Sequence, residues 1–139
     1  FREPNASGAF FGLRAGHTRY HMARAVYEGI ALSLLDCYRH LPQCSGGLIV
    51  AGGAAKSDLV CQMICDCIGE PTTRYRVKEL GILGVIRMLQ IAMKIEPSWQ
   101  SGERQLFVPD KKNHEQYLRL YERYCSLQSA MLPFWQGRL

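Results

Sequence analysis

The stretch LIVAGGAAKSDLVCQMICD, Leu48 to Asp66, holds the residue types best placed to do chemistry. An apolar triplet passes through Gly52 and Gly53 into a helical pattern that opens with Lys56, Ser57 and Asp58. The first amides of a helix lack intrahelical partners, and its N-terminal end is electropositive, so an anion such as phosphate is favoured there. The dipole contributes only about 0.3–1 kcal/mol at an exposed site. Backbone hydrogen bonds must supply the remainder, and they require close approach. Gly52 and Gly53 allow that approach because they have no Cβ. Ala54 and Ala55 obstruct little, and Lys56 adds a positive charge. The segment matches neither GxxxxGK[ST] nor GxGxxG, so the local pattern alone also fits a tight turn with no ligand.

Other chemistry-bearing residues are more scattered. His17 and His21 stand four apart and would share a helix face, but no HExxH pattern or third ligand accompanies them, so they read as surface or loop-packing histidines. Asp36 and Asp58 lack the paired-carboxylate context of acid/base work. Tyr117, Tyr121 and Tyr124 follow helical spacing, which suits a packed helix face better than a base-stacking platform. The six cysteines form no C-x-x-C pair. Cys61, Cys65 and Cys67 lie in one apolar helical stretch, with Cys37, Cys44 and Cys125 far apart, so the expectation is buried, reduced thiols in a cytoplasmic setting and no metal site. No catalytic residue is assigned.

The elements that must position these groups follow from periodicity. Met22, Val26, Ile30, Leu34, Cys37, Tyr38 and Leu41 mark one face of a long helix from Thr18 to Leu41, ended by Pro42. LIV at Leu48 to Val50 reads as a short buried strand. Ser57 caps a helix from Asp58 to Ile68, with Gly69 as its stop. TTRYRV then reads as a second strand. Strand, helix and strand make a βαβ unit, which should be right-handed with parallel strands. Leu80 to Lys94 is almost wholly apolar and should be a well-buried helix. EPSWQSGERQLFVPD reads as a loop, and a last helix runs from Asn113 to Met131, closed by Pro133. Two short parallel strands make an incomplete sheet. With no initiator Met, the expectation is a fragment whose missing strands precede Phe1.

The totals bound the function class. At 139 residues with 47% apolar content the chain is one domain with a real core. Charged residues interrupt every apolar run before the roughly 18 residues a membrane span needs, and the opening FREPNASGAF has no signal-peptide pattern. The formal charge of +5 suits an anionic partner. The cluster Arg74, Arg76 and Lys78 and the pair Lys111 and Lys112 read as solvated basic surface.

Four blocks in order, GAFFGLRAGHTRYHMARAVYEGIALSLLD, LIVAGGAAKSDLVCQMICDCIGEPT, KELGILGV and YLRLYERYCSLQ, resemble the C-terminal half of the FGGY family of carbohydrate kinases, with xylulose-like kinases the nearest in pattern. The resemblance implies an α/β fold, the C-terminal domain of an actin-like (ribonuclease H-like) ATPase, with an incomplete parallel sheet and long packed helices. It implies that residues 1–139 are the nucleotide-binding domain and that a sugar-binding N-terminal domain is absent. The cofactors it implies are ATP and Mg²⁺. Gly52, Gly53 and Ala54 would lie against the phosphates and ribose, with Lys56 and Ser57 at the helix start. Arg24, Glu28 and Gly29 match the RAxxEG helix, and Gln62 and Asp66 match a Q…AD pattern. Glu28 and Asp66 are expected to orient the loop by capping or ion pairing.

The departures are specific. Ala51 replaces the first glycine of the family's triplet, and Val85 and Ile86 replace a small pair that would lie near the base pocket. The family's aspartate that takes the proton from the sugar hydroxyl belongs to the first domain. The expected function is therefore the ATP-binding part of a kinase that transfers the γ-phosphate to a xylulose-like ketose or polyol, inactive as this chain alone. The alternative is a non-catalytic binding or assembly domain on the same fold. The expected partners are nucleotide and, through the other domain, sugar. Membrane is excluded and nucleic acid disfavoured, while an unpaired sheet edge would favour a homo-oligomer.

Overall fold

A computed structural model describes residues 3–42, 47–77, 79–96 and 102–137. In chain order the regular elements are α1 (Arg19–Arg39), β1 (Leu48–Val50), a 3₁₀ turn (Ala54–Lys56), α2 (Asp58–Ile68), β2 (Thr72–Tyr75), α3 (Leu80–Ala92), β3 (Arg104–Phe107) and α4 (Lys111–Trp135). The sheet has the order β1-β2-β3. β1 runs parallel to β2, with Val50 opposite Arg74, so the expected βαβ unit is present. β3 pairs antiparallel with β2, Thr72 opposite Phe107 and Arg74 opposite Gln105. The sheet is thus mixed rather than purely parallel, and β3 lies where a loop was expected. RQLF is too short to announce itself by alternation; pairing with β2, about thirty residues upstream, makes it a strand.

α2 is the hub. Val60, Met63, Ile64 and Cys67 pack with Ala31, Leu32 and Leu35 of α1 and with Tyr117 and Tyr121 of α4. On its other side Cys61 and Cys65 meet Ala55 and Phe107 against the sheet. The tyrosines are therefore core residues. Its boundaries are as expected: Ser57 Oγ accepts from Val60 N–H at 3.4 Å, and Gly69 ends the helix in the left-handed region at φ 83°.

Three expectations are corrected. α3 is a helix, but its side chains are not buried: Ile82, Val85, Ile86, Met88, Leu89 and Ile91 are exposed, Met88 by 71%. Apolarity calls for a cover without naming it, and no other element among the described residues packs extensively on α3. The stripe read for α1 is also misplaced. Met22, Val26, Ile30 and Leu34 are exposed, whereas Ala31, Leu32 and Leu35, one step round the helix, face α2 and α4. This helix has two apolar faces, and periodicity could not rank them. Finally, α4 begins and ends beyond its expected limits, with Pro133 inside it. Asp110 caps its start by accepting from Asn113 N–H at 2.8 Å. Pro133 sits so near the end that the helix loses one bond and continues to Trp135.

Among the described residues, α2 covers one face of the sheet and no helix covers the other. Ile49 and Leu106, which share the other face across Thr73, are both exposed. No helix among the described residues is long and apolar enough to cross a membrane.

Candidate nucleotide site

The glycine junction leads from the end of β1 into the 3₁₀ turn. Gly52 has φ 82°, a left-handed conformation in which a side chain would be strained. Gly53 is right-handed, and a Cβ built on either glycine meets nothing within 4 Å. Gly52, Gly53, Ala54 and Lys56 are all exposed, while Ala55 is buried and points into the core. Two long bonds close the 3₁₀ turn, Lys56 N–H to Gly53 O at 3.2 Å and Ser57 N–H to Ala54 O at 3.3 Å. Ser57 is half-buried as the cap of α2. The exposed backbone of Gly52 and Gly53 therefore has open space beside it ahead of α2, a place where main-chain amides can meet an anion. Ala51, in place of a third glycine, is exposed and precedes the turn.

Behind the turn sits Arg74. Its place in a basic surface cluster is a misreading: it is 6% exposed. Nη1 donates to Ala55 O at 2.7 Å, and Nη2 donates to Asp58 Oδ1 at 2.6 Å and to Gln105 Oε1. The guanidinium lies 5.4 Å from the Phe107 ring centre. Hydrogen bonding from Arg74 holds the Asp58 carboxyl below the usual carboxylate range. The clue was parity. Arg74 and Thr72 are two apart on a short strand and so share the face that packs on α2. Arg76 is exposed, 3.9 Å from Glu103, and Lys78 lies outside the described residues.

The other family-type positions serve the scaffold. Arg24 Nε and Glu28 Oε1 pair at 2.8 Å along α1, and Gly29 is half-buried beside them. Asp66 is buried, and Oδ1 accepts from Gln62 Nε2 at 2.7 Å and from Asp110 N–H at 2.9 Å. Asn113 Nδ2 donates to Oδ2 at 2.9 Å. A cleft of about 250 Å³ lies above this cluster, lined by Arg24, Glu28, Gln62, Asp66, Asn113 and Tyr117 among others. Its charged walls are already hydrogen-bonded to protein partners. Asn113 and Asp110 were not singled out from the sequence, because their role depends on a contact spanning more than forty residues.

The histidines are local. His17 Nδ1 accepts from Arg14 N–H and His21 Nδ1 from Thr18 N–H, each at 3.1 Å. Cys61, Cys65 and Cys67 are buried free thiols as expected, but Cys37 is exposed. Burial raises the pKa of all three buried thiols, that of Cys67 to about 12. Cys44 lies outside the described residues.

A parallel strand–glycine turn–helix unit whose helix packs between the sheet and two long helices makes this an α/β domain, and its likeness to solved sugar kinases makes the fold that of the actin-like ATPases. The crystal structure of xylulose kinase from Rhodospirillum rubrum superposes with a TM-score of 0.78 at 26% identity, covering 96% of this chain and 29% of that one. The chain belongs to the FGGY family of carbohydrate kinases: residues 1–93 match the family's C-terminal domain. Among curated proteins it is 31% identical over 131 residues to a probable L-xylulose kinase of Haemophilus influenzae, covering 88% of this chain and 26% of that protein. It is 42% identical over 86 residues to a glycerol kinase of Citrifermentans bemidjiense, covering 59% of this chain and 17% of that protein. The chain thus spans about a quarter of the length of the L-xylulose kinase relative.

Proposed function

We propose that residues 1–139 are the nucleotide-binding part of a carbohydrate kinase, and that the whole protein transfers the γ-phosphate of ATP to a hydroxyl of a xylulose-like ketose or polyol. The observation that carries this reading is the open glycine turn. Gly52, Gly53 and Ala54 present exposed backbone at the N-terminal side of α2, with empty space where a Cβ would stand at both glycines. In this reading their amides bind the phosphates and ribose, the exposed Lys56 adds positive charge, and Ser57 keeps α2 capped so that its first turn stays in place. ATP supplies the phosphoryl group. Mg²⁺ would arrive with the triphosphate, bridging its phosphate oxygens.

Phosphoryl transfer is mostly positioning and charge stabilisation. Half of that apparatus binds without reacting, so the chain by itself should bind MgATP and show no sugar-dependent turnover. The L-xylulose kinase relatives favour a ketose as acceptor, and the glycerol kinase relatives a polyol. A non-catalytic binding domain is the second reading; Ala51 at the lip of the turn and Val85 and Ile86 on α3 are the residues that favour it.

The test is a calorimetric titration with MgATP on the wild-type chain and on Gly53→Leu. The backbone at Gly53 is right-handed and the space beyond it empty, so leucine costs the fold little. Wild-type binding that Gly53→Leu abolishes, at an unchanged melting temperature, supports the site. Equal binding by both chains removes the turn from the site, and sugar-dependent ATP consumption by this chain alone overturns its role as a half-site.

A further inference from the structure

We infer that Arg74 is a positioning residue that holds the glycine turn in its nucleotide-binding shape, an inference that rests on the reading of the turn as the ATP site. The turn cannot hold itself. Ala54–Lys56 is a single 3₁₀ turn closed by bonds of 3.2 and 3.3 Å, and such short pieces have little cooperative stability of their own. What anchors it from below is a side chain on another strand. Arg74 lies opposite Val50, the residue with which β1 ends. From there its guanidinium reaches beneath the turn to Ala55 O at 2.7 Å, the carbonyl that also accepts from Cys61 Sγ at 3.7 Å.

The same guanidinium grips the junction at two points. Nη1 fixes the middle of the turn through Ala55, and Nη2 fixes the first residue of α2 through Asp58 at 2.6 Å. Gln105 on β3 completes the hold on Nη2, and Phe107 supports the guanidinium plane at 5.4 Å from its ring centre. Drawing the Ala55 carbonyl inward, together with the Ala55 side chain, leaves the Gly52–Ala54 backbone to face outward. Two divergent donors on one rigid plane are required, a geometry that the single ammonium of lysine cannot reproduce. Arg74 touches no nucleotide in this arrangement; it acts through the backbone.

Amide hydrogen exchange and MgATP titration on the 139-residue chain, wild type, Arg74→Lys and Asp58→Asn, test the inference. The expected result for Arg74→Lys is exchange at Lys56 and Ser57 at least tenfold faster, with Gly69 N–H at the far end of α2 unchanged, and a MgATP Kd raised about tenfold. Asp58 is 65% exposed at its side chain, so Asp58→Asn keeps the fold even if Arg74→Lys does not, and should speed the same two amides by a smaller factor. Acceleration spread evenly over α2, or unchanged Lys56 and Ser57 in both variants, overturns the assignment. A wild-type chain that binds no MgATP sinks the nucleotide reading alone, because the exchange at Lys56 and Ser57 still decides whether Arg74 holds the turn.

Discussion

Asp66 on α2 and Asn113 on α4, 47 residues apart in sequence, are joined by a 2.9 Å hydrogen bond from the amide to a buried carboxylate. The same carboxylate takes Asp110 N–H, and the Asp66 carbonyl takes His114 Nδ1 at 2.9 Å. One residue thus docks the whole first turn of α4 on the hub helix. Replacing Asp66 by alanine leaves the Asp110 amide and the Gln62 and Asn113 side chains short of an anionic acceptor. The expected loss is about 3 kcal/mol, since bonds to charged groups are worth about 1.5–3 kcal/mol each and partial resolvation recovers some of it. Urea unfolding of the two chains measures it; a loss below 1 kcal/mol would show that α4 docks through its tyrosines alone.

Gly69 ends α2 at φ 83°, and a methyl there would meet the His114 ring well inside van der Waals distance. Left-handed backbone costs an L-residue roughly 1–2 kcal/mol, and the displaced imidazole gives up its bond to Asp66. Gly69→Ala should therefore destabilise the chain by about 2 kcal/mol or more. Thermal unfolding checks this, and combining it with His114→Ala should recover the steric share only.

The thiols should separate into two reactivity classes. Cys67, pushed up to about 12 by burial, carries thiolate in about one molecule in ten thousand at pH 8. Cys61 and Cys65 are shifted in the same direction, whereas Cys37 is exposed. Alkylation at pH 8 followed by peptide mapping should label Cys37 within minutes and the three α2 cysteines only after denaturant is added. Rapid labelling of Cys67 in the native chain would contradict the packing of α2.

Acid stability should depend on Asp58. Hydrogen bonding to Arg74 lowers its pKa in the folded chain, so the unfolded chain binds the proton first as pH falls. The contribution is complete above the unfolded carboxylate value, about pH 3.9, and is lost as pH drops below it through the folded value. Asp58→Asn should be the less stable chain at neutral pH, and the two unfolding curves should converge at the acid end. A constant gap down to that end would mean that Arg74 does not sense the charge.

The local devices were legible in the sequence because local rules produce them. Ser57 caps α2 with its own hydroxyl, Gly69 ends it with a φ open to glycine, and Gly52 allows the turn that leads into it from β1. The βαβ unit follows from strand, helix and strand patterns in succession, with β1 and β2 parallel as expected, and four ordered blocks carry the family. Long-range contacts decided the rest. A one-residue rotation around α1 chose Ala31, Leu32 and Leu35 over an equally apolar stripe. Pairing with β2 made a strand of Arg104–Phe107. Burial turned Arg74 from an apparent surface charge into the support beneath the glycine turn. Sequence spacing says which residues share a face, but which face another element covers, and which charge finds its partner inside, is settled only when distant segments compete for the same contacts.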